Sequence, residues 1–207
     1  MIISVLNQKG GVGKTTLSIN LASAFALAGE STLLIDADPQ SSALDWQASR
    51  EGDTLFPVVG MARATLHKDV PGLQSQHQKV VIDGPPRVND LAKSAILASD
   101  LIIIPVQPSP YDIWAADEIV KLIEESMMFK PELKARFVVN RLVSKTAIGR
   151  EVAAALKDYP FQVFETAITQ RVVFAESAAA GISVMEFAPK GPAALEIQAL
   201  VQEIERI

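Results

Sequence analysis

The chain has 207 residues, of which 49% are hydrophobic and 21% charged, so it can form a core without disulfide or metal crosslinks. It contains no cysteine, which excludes a disulfide scaffold, a thiolate zinc site and an iron–sulfur cluster. The net charge of −5 is not that of a dedicated, strongly basic nucleic-acid-binding protein.

Short β-branched runs alternate with amphipathic or alanine-rich stretches along the whole chain. Strands are predicted at Ile2–Leu6, Thr32–Ile35, Val58–Met61, Val80–Ile82, Leu101–Pro105 and Phe137–Val139. Helices are predicted at Thr15–Leu27, Ser41–Ala48, Asp90–Ala98, Ile113–Met127, Ile148–Leu156 and Pro192–Ile207. Apolar strands that alternate with helices are typical of a parallel sheet covered on both faces. We therefore expect a single domain over residues 1–207, with an α/β fold in three layers and a mostly parallel, twisted sheet.

Two details of the helices can be checked directly. Gly29 follows the first helix and is predicted to end it. In the last helix, four residues recur near helical spacing, and the stretch is expected to pack as a terminal helix. These residues are Leu195, Ala199, Gln202 and Ile204.

A glycine-rich segment joins the first strand to the first helix, where a phosphate-binding loop is expected. It reads Gln8-Lys9-Gly10-Gly11-Val12-Gly13-Lys14-Thr15-Thr16. The glycines let the backbone curl, so that its N–H groups and the helix dipole bind a polyphosphate. Lys14 is expected to reach the β- and γ-phosphates, and Thr15 to place its hydroxyl on Mg²⁺. Gln8 stands where the general P-loop pattern has its first glycine, so only the narrower form K-G-G-x-G-K-T is met.

This loop resembles the deviant Walker A motif of the ParA/MinD family of P-loop ATPases, and the resemblance covers nearly the whole chain. In that family an additional N-terminal lysine crosses a dimer interface and contacts the nucleotide of the other subunit. By resemblance that lysine is Lys9. A second cation at the phosphates stabilises the charge that develops in phosphoryl transfer. The resemblance therefore implies ATP and Mg²⁺ as ligands, ATP hydrolysis and a homodimer in the ATP state.

Three aspartates stand at strand ends, where ligands bind in open α/β sheets. Asp36 and Asp38 lie in a segment that resembles the second motif of the family, and Asp83 lies in one that resembles its Walker B and switch region. We expect Asp83 to hold Mg²⁺ through water, Asp38 to position the attacking water, and Asp36 to support the metal shell or Lys14. The alternative for each aspartate is a purely structural residue at a strand end or helix cap.

Two later residues are assigned by resemblance. Asn140 resembles the asparagine with which the family reads adenine. An amide suits this role, because it can pair with N6 and a ring nitrogen of adenine together. Asn140 could instead be a turn residue. Arg171 lies where ParA-type proteins carry a basic residue for non-specific DNA binding; it could instead be a surface or salt-bridged arginine. The stretch from Lys130 to Arg150 is also rich in basic residues and could add to such a surface or be a solvated face.

The two ends of the chain discriminate among relatives. MinD-type proteins reach membranes through a basic amphipathic C-terminal helix, whereas Leu195–Ile207 carries three glutamates and one arginine. The chain begins at the first strand, so we expect the short ParA form, without an N-terminal helix-turn-helix domain. No signal peptide or membrane-spanning stretch is recognised, so we expect a cytoplasmic, nucleoid-associated protein without a membrane partner.

The resemblance thus implies a partition ATPase. Its ATP dimer would bind DNA non-specifically and segregate plasmid or chromosomal DNA with a centromere-binding partner of the ParB or ParG type. Hydrolysis would be slow until that partner stimulates it. Three alternatives stay open: a MinD-like or protein-cargo-positioning ATPase, a biosynthetic P-loop ligase of the dethiobiotin-synthetase type, and a filament protein for which hydrolysis is only a timer.

Overall fold

The computed structural model describes residues 1–143, 151–152 and 154–207. Its strands are β1 (Ile2–Val5), β2 (Thr32–Asp36), β3 (Val58–Gly60), β4 (Lys79–Asp83), β5 (Leu101–Val106), β6 (Lys134–Val139) and β7 (Gln162–Val163). All pair in parallel, in the order β3-β2-β4-β1-β5-β6-β7. The predicted parallel α/β architecture is therefore confirmed.

Helices cover both faces of this sheet. In chain order the described ones are α1 (Lys14–Leu27), α2 (Ser42–Ala48), α3 (Leu66–Gln74), α4 (Asp90–Ala98), α5 (Pro110–Ala115), α6 (Asp117–Met127), α7 (Val173–Ala179), α8 (Val184–Phe187) and α9 (Pro192–Ile204). Successive strand residues point to opposite faces, so Ile2 joins the core under α3, α4 and α6, while Ile3 joins the core under α1 and α9. None of the described helices is both long and apolar enough to cross a bilayer.

The end of α1 follows the prediction made for Gly29. The helix ends at Leu27, and Gly29 adopts a left-handed φ of +89°. The Glu30 N–H then bonds back to the Phe25 carbonyl at 3.1 Å, which satisfies a helix-end acceptor. The glycine thus turns the chain from α1 into β2.

The predicted helix Ile113–Met127 is wrong in its extent. The structure has a separate helix α5 beginning at Pro110, followed by α6 from Asp117. At the junction, the Ala116 N–H bonds to the Ile113 carbonyl only three residues back, and the Ala115 carbonyl accepts from the Gln8 side chain. A tightened turn and a contact from the phosphate loop therefore separate two helices that the apolar pattern had joined.

The predicted terminal helix is confirmed as α9, and Ile204 is buried in it. Leu195 is 56% exposed and Gln202 is exposed, whereas Ile197 and Leu200 are fully buried. The buried stripe of α9 therefore lies about half a turn away from Leu195 and Gln202, and alanines complete it. Of the helix predicted at Ile148–Leu156, residues 148–150 and 153 lie outside the described residues.

Candidate functional site

The loop between β1 and α1 stands at the carboxyl edge of the sheet. Gly11 and Gly13 adopt left-handed φ values of +76° and +92°, which L side chains rarely adopt. Within the described chain, the backbone N–H groups of Gly10, Gly11 and Gly13 meet no hydrogen-bond acceptor. Such a run of free amides ahead of a helix that begins at Lys14 is suited to binding an anion.

Lys14 lies inside this loop and is only 7% exposed. Its Nζ is 3.4 Å from the Lys9 carbonyl. Burial lowers the pKa of Lys14, and the nearby charges of Asp83 and Asp38 oppose that shift. Both aspartates therefore lie within electrostatic reach of the loop lysine, as the sequence led us to expect.

Asp83 meets two hydroxyl groups at the base of the loop. The Thr15 hydroxyl donates to Asp83 Oδ2 at 2.7 Å, and the Ser18 hydroxyl lies 3.0 Å from Oδ1. A carboxylate beside a threonine hydroxyl is an oxygen set that suits Mg²⁺. In the described part of the chain no three His, Asp or Glu side chains could hold an ion alone, so phosphate and water would have to complete the shell. Ser18 was missed by sequence analysis, although it follows Thr15 by one helical turn.

Asp36 is engaged by the backbone that follows it. Its Oδ1 accepts from the Asp38 N–H at 3.1 Å, and its Oδ2 from the Ala43 and Leu44 N–H groups at 2.9 and 3.1 Å. These bonds satisfy amides at the start of α2 and hold the turn that carries Asp38. The contacts fit a supporting role for Asp36; its predicted link to the metal shell stays a prediction.

Asn140 lies under the loop and is 4% exposed. Its Nδ2 donates to the Val12 carbonyl at 2.7 Å. A cavity of about 320 Å³ opens beside it, lined in part by Gly13, Thr16 and Arg171. This volume suits a small ring system, so the structure brings Thr16 and Asn140 to one pocket next to the phosphate loop.

Arg171 forms an ion pair with Glu196, at 3.0 Å between Nη2 and Oε1. Its side chain is 33% exposed, and Glu196 also accepts from the Thr169 N–H and hydroxyl. Its charge is thus partly compensated, and its predicted DNA contact stays a prediction. In the basic 130–150 stretch, Lys130 also faces a carboxylate, Asp100 at 4.0 Å. Lys145 and Arg150 of this stretch lie outside the described residues.

Lys9 pairs within its own chain. Its Nζ lies 2.6 Å from Oδ2 of Asp112 on α5, and its side chain is 37% exposed against 2% for Asp112. Sequence analysis missed Asp112, because a single aspartate 103 positions away carries no local signal.

The pKa of Asp83 leads to a pH prediction. Burial is the largest cause raising this pKa to about 7, while the Thr15 hydrogen bond opposes it. Between pH 4 and 7 the folded carboxyl keeps a proton that the unfolded one has lost, so charging Asp83 destabilises the fold as pH rises. In urea unfolding without nucleotide or Mg²⁺, wild type should lose on the order of 2 kcal/mol more than Asp83→Asn between pH 5 and 8. Parallel pH profiles for the two proteins would contradict this assignment.

A profile of the CobQ/CobB/MinD/ParA nucleotide binding domain matches residues 3–184. The carboxysome distribution maintenance protein A of Halothiobacillus neapolitanus is 32% identical over 207 residues, covering 98% of this chain and 95% of that protein. The chromosome-partitioning ATPase Soj of Thermus thermophilus is 29% identical over 234 residues, and the match covers 98% of this chain and 94% of Soj.

Solved structures share the fold. The septum site-determining protein MinD of Pyrococcus horikoshii, complexed with Mg-ADP, superposes with a TM-score of 0.78 at 21% identity. The match covers 98% of this chain and 95% of the MinD chain. The chain therefore shares its fold with this protein.

Proposed function

Because the chain belongs to the CobQ/CobB/MinD/ParA nucleotide-binding family, we propose that it is a partition protein driven by ATP binding and hydrolysis. The observation that carries this proposal is the meeting of Thr15, Lys14 and Asp83 beneath a loop of free backbone amides. Such a constellation binds a nucleoside triphosphate with Mg²⁺. The Mg-ADP held by the MinD relative supports the same ligand class here.

Each site residue has a proposed role. The amides of Gly10, Gly11, Val12 and Gly13 and the side chain of Lys14 bind phosphates. Thr15 and Asp83 hold Mg²⁺, which neutralises phosphate charge when bound. Asp38, held by the Asp36 turn, orients the attacking water. The cavity beside Thr16 and Asn140 takes the adenine.

The adenine assignment follows from the chemistry of one amide. Asn140 Nδ2 donates to a backbone carbonyl, which can only accept, so the identity of that atom is fixed. Its Oδ1 is left as an acceptor for the exocyclic amino group of adenine, and the second Nδ2 hydrogen can donate to an adenine ring nitrogen. The pocket should therefore favour ATP over GTP.

Lys9 is proposed to act on the nucleotide of a second subunit. A cation can stabilise the negative charge that develops on the phosphoryl group during transfer. If that cation reaches the phosphates only from the other subunit, hydrolysis depends on dimerisation. The ATP dimer would then bind DNA non-specifically in the cytoplasm, at the nucleoid, and be released after a ParB- or ParG-like partner stimulates hydrolysis. The partition role named for Soj supports plasmid or chromosomal DNA as the cargo.

A second candidate is a protein cargo. The 32% identity to a carboxysome distribution protein, over nearly the full length of both chains, favours an ATPase that positions a protein assembly. A membrane-bound, MinD-like role has less support, since Ile197, Leu200 and Ile204 of α9 already pack in the core. A biosynthetic ligase has less support because Lys9 stands at the additional lysine of the deviant Walker A motif. A filament remains compatible with an ATP dimer.

DNA binding tests the step that the partition function requires. Fluorescence anisotropy of a random-sequence duplex should rise with ATP and Mg²⁺ but not with ADP, and less at higher salt. Arg171→Ala should weaken binding and lower the salt slope by about one, if Arg171 contacts one phosphate. Arg63→Ala is the matched control, because Arg63 is also a surface arginine paired with a carboxylate, Asp69 at 3.1 Å.

The outcomes separate the candidates. If both variants retain ATP-dependent binding, residues other than Arg171 make the DNA contact. Absence of binding in either nucleotide state, with ATP binding verified, would remove the DNA step and leave the protein-cargo ATPase, the ligase or the filament. A deletion strain then identifies the cargo. Plasmid loss would indicate DNA, and mislocalisation of a fluorescent protein assembly would indicate a protein cargo.

A further inference from the structure

Two side-chain amides from neighbouring strands hold carbonyl groups of the phosphate loop. Gln107 donates from Nε2 to the Gly11 carbonyl at 2.8 Å, and Asn140 donates from Nδ2 to the Val12 carbonyl at 2.7 Å. Asn140 also lines the base pocket, whereas Gln107 does not. Gln107 therefore has a contact with the phosphate loop that base binding does not explain.

The sheet places these two amides side by side. Gln107 directly follows β5, and Asn140 directly follows β6. The last residues of the two strands, Val106 and Val139, are register partners. The Val106 carbonyl accepts from the Asn140 N–H at 2.8 Å, and the Gln107 carbonyl accepts from the N–H two residues further on at 2.7 Å. The side chain of Gln107 thus extends toward the loop from a fixed backbone.

The contact from Gln107 determines which way the peptide between Gly11 and Val12 faces. This peptide is trans, so its carbonyl and its N–H point in opposite directions. With the Gly11 carbonyl directed at Gln107, the Val12 N–H points away from Gln107. Val12 is buried, and its N–H meets no acceptor in the part of the chain that the structure describes. A buried N–H without an acceptor is unfavourable, so this amide is suited to an oxygen atom that a ligand supplies.

The loop residues themselves do not fix this orientation. Gly11 has a left-handed φ of +76°, and glycine tolerates many backbone conformations, so the peptide after it can turn over. In the reversed peptide the Gly11 carbonyl would stand where the Val12 N–H had been, and its oxygen would repel a phosphate. Among the described residues, Gln107 is the donor that the Gly11 carbonyl meets. Its hydrogen bond therefore opposes the reversal.

We propose that Gln107 is a positioning residue of the phosphate site, which holds the Gly11–Val12 peptide so that the Val12 N–H binds a phosphate oxygen. Gln107 acts through the backbone and does not touch the nucleotide. Its contribution is preorganisation, since the peptide would otherwise have to be ordered when the nucleotide binds. This inference rests on the proposed function in one respect, that the ligand of the loop is a nucleoside phosphate.

Gln107→Met tests the hydrogen-bond donor, because methionine is unbranched and of similar length but has no N–H group in its side chain. Full-length protein is titrated with a fluorescent ADP analogue and Mg²⁺, and with adenosine by NMR. ADP affinity should fall about tenfold, because a hydrogen bond to a charged acceptor is weakened. Adenosine affinity should change less than about twofold, because adenosine has no phosphate.

The amide signals of Val12 and Gly13 distinguish positioning from a general loss of packing. In ¹⁵N-labelled wild type, both signals should move downfield when ADP binds, since each N–H then bonds to a phosphate oxygen. In Gln107→Met the Val12 shift should be lost. The Gly13 shift should remain, because Asn140 still holds the carbonyl of the preceding residue.

Gln78→Met is the matched control. Gln78 stands directly before β4 at the opposite edge of the sheet, and its side chain also bonds to the backbone, accepting from the Ser31 N–H at 2.8 Å. This variant should bind ADP as wild type does. Gln107→Ala replaces Gln107→Met if thermal melting shows that the methionine variant does not fold.

The outcomes separate this inference from the proposed function. If Gln107→Met binds ADP like wild type, loses ADP and adenosine equally, or keeps the Val12 shift, the role of Gln107 is overturned and the proposed function stands. If wild type binds ADP but neither hydrolyses ATP nor binds DNA, the proposed function falls while the ADP result on Gln107 stands. If wild type binds no nucleotide, both fall.

Discussion

Replacing Gly13 with alanine is expected to abolish nucleotide binding while the chain stays folded. Gly13 has a φ of +92°, and a Cβ there would come 2.3 Å from Asn140 Nδ2. Asn140 cannot move aside easily, because it is buried and bonded to the Val12 carbonyl. The loop must therefore deform at the residue that connects it to α1. We expect ATP affinity to fall by at least 100-fold, or about 3 kcal/mol.

Gly29→Ala is the matched control for this variant. Gly29 has almost the same φ, +89°, but a Cβ there would meet no atom within 4 Å. It should lose about 1–2 kcal/mol of stability from backbone strain alone and bind ATP normally. Titration with a fluorescent ATP analogue gives the affinities, and urea unfolding gives the stabilities. Normal ATP binding by Gly13→Ala would show that the observed loop shape is not the one that binds phosphate.

Replacing Lys9 with alanine is expected to remove ATP-dependent dimerisation and nearly all hydrolysis, with ATP binding retained. Lys9 points at Asp112 in its own chain, so it adds little to the phosphate site of that chain. A cation supplied in trans to a phosphoryl-transfer site contributes about 10³-fold to the rate. We expect a loss of that order in turnover and a change below about threefold in ATP affinity. Lys14→Ala, by contrast, should lose ATP binding itself.

One control guards against an indirect effect. Lys9→Ala leaves Asp112 buried without its partner, and this alone could disturb the loop. Lys9→Ala/Asp112→Asn removes that charge and should be as inactive as the single variant. Recovery of hydrolysis in the double variant would mean that Asp112, and not the missing lysine, caused the defect. ATP-dependent dimers of Lys9→Ala, seen by sedimentation and as active as wild type, would contradict the crossover.

Local chemistry explains which parts of the site could be predicted from the sequence. Gly10 to Thr16 stand together in the chain, and Asp83 ends an apolar strand, so their meeting follows from the rule that parallel strands end at one edge. Asp112 had no such signal, because its pairing with Lys9 depends on how α5 packs against the loop. The role of Asp36 in holding the turn before α2 also depends on backbone geometry that residue types do not encode.

The fold was predictable to a similar extent. The central strands are continuous apolar runs, and each was recognised within a few residues. Helix α3 was missed, because it contains Pro71 and only Leu66 and Val70 are buried. The division between α5 and α6 was missed because the apolar pattern continues through Ala116, and a side chain of the phosphate loop helps to set the boundary. Tertiary contacts therefore determine features of these helices that the spacing of apolar residues does not encode.

The parallel pairing of β1 also has a consequence for how the chain is made. Ile3 lies opposite Val81 on one side and Leu101 on the other, so both neighbours of the first strand are synthesised long after it. At ribosomal speeds, β1 waits roughly 5–20 s before its second partner leaves the exit tunnel. Until β4 also emerges, this strand of three apolar residues and one serine has both edges unpaired, a state that favours aggregation.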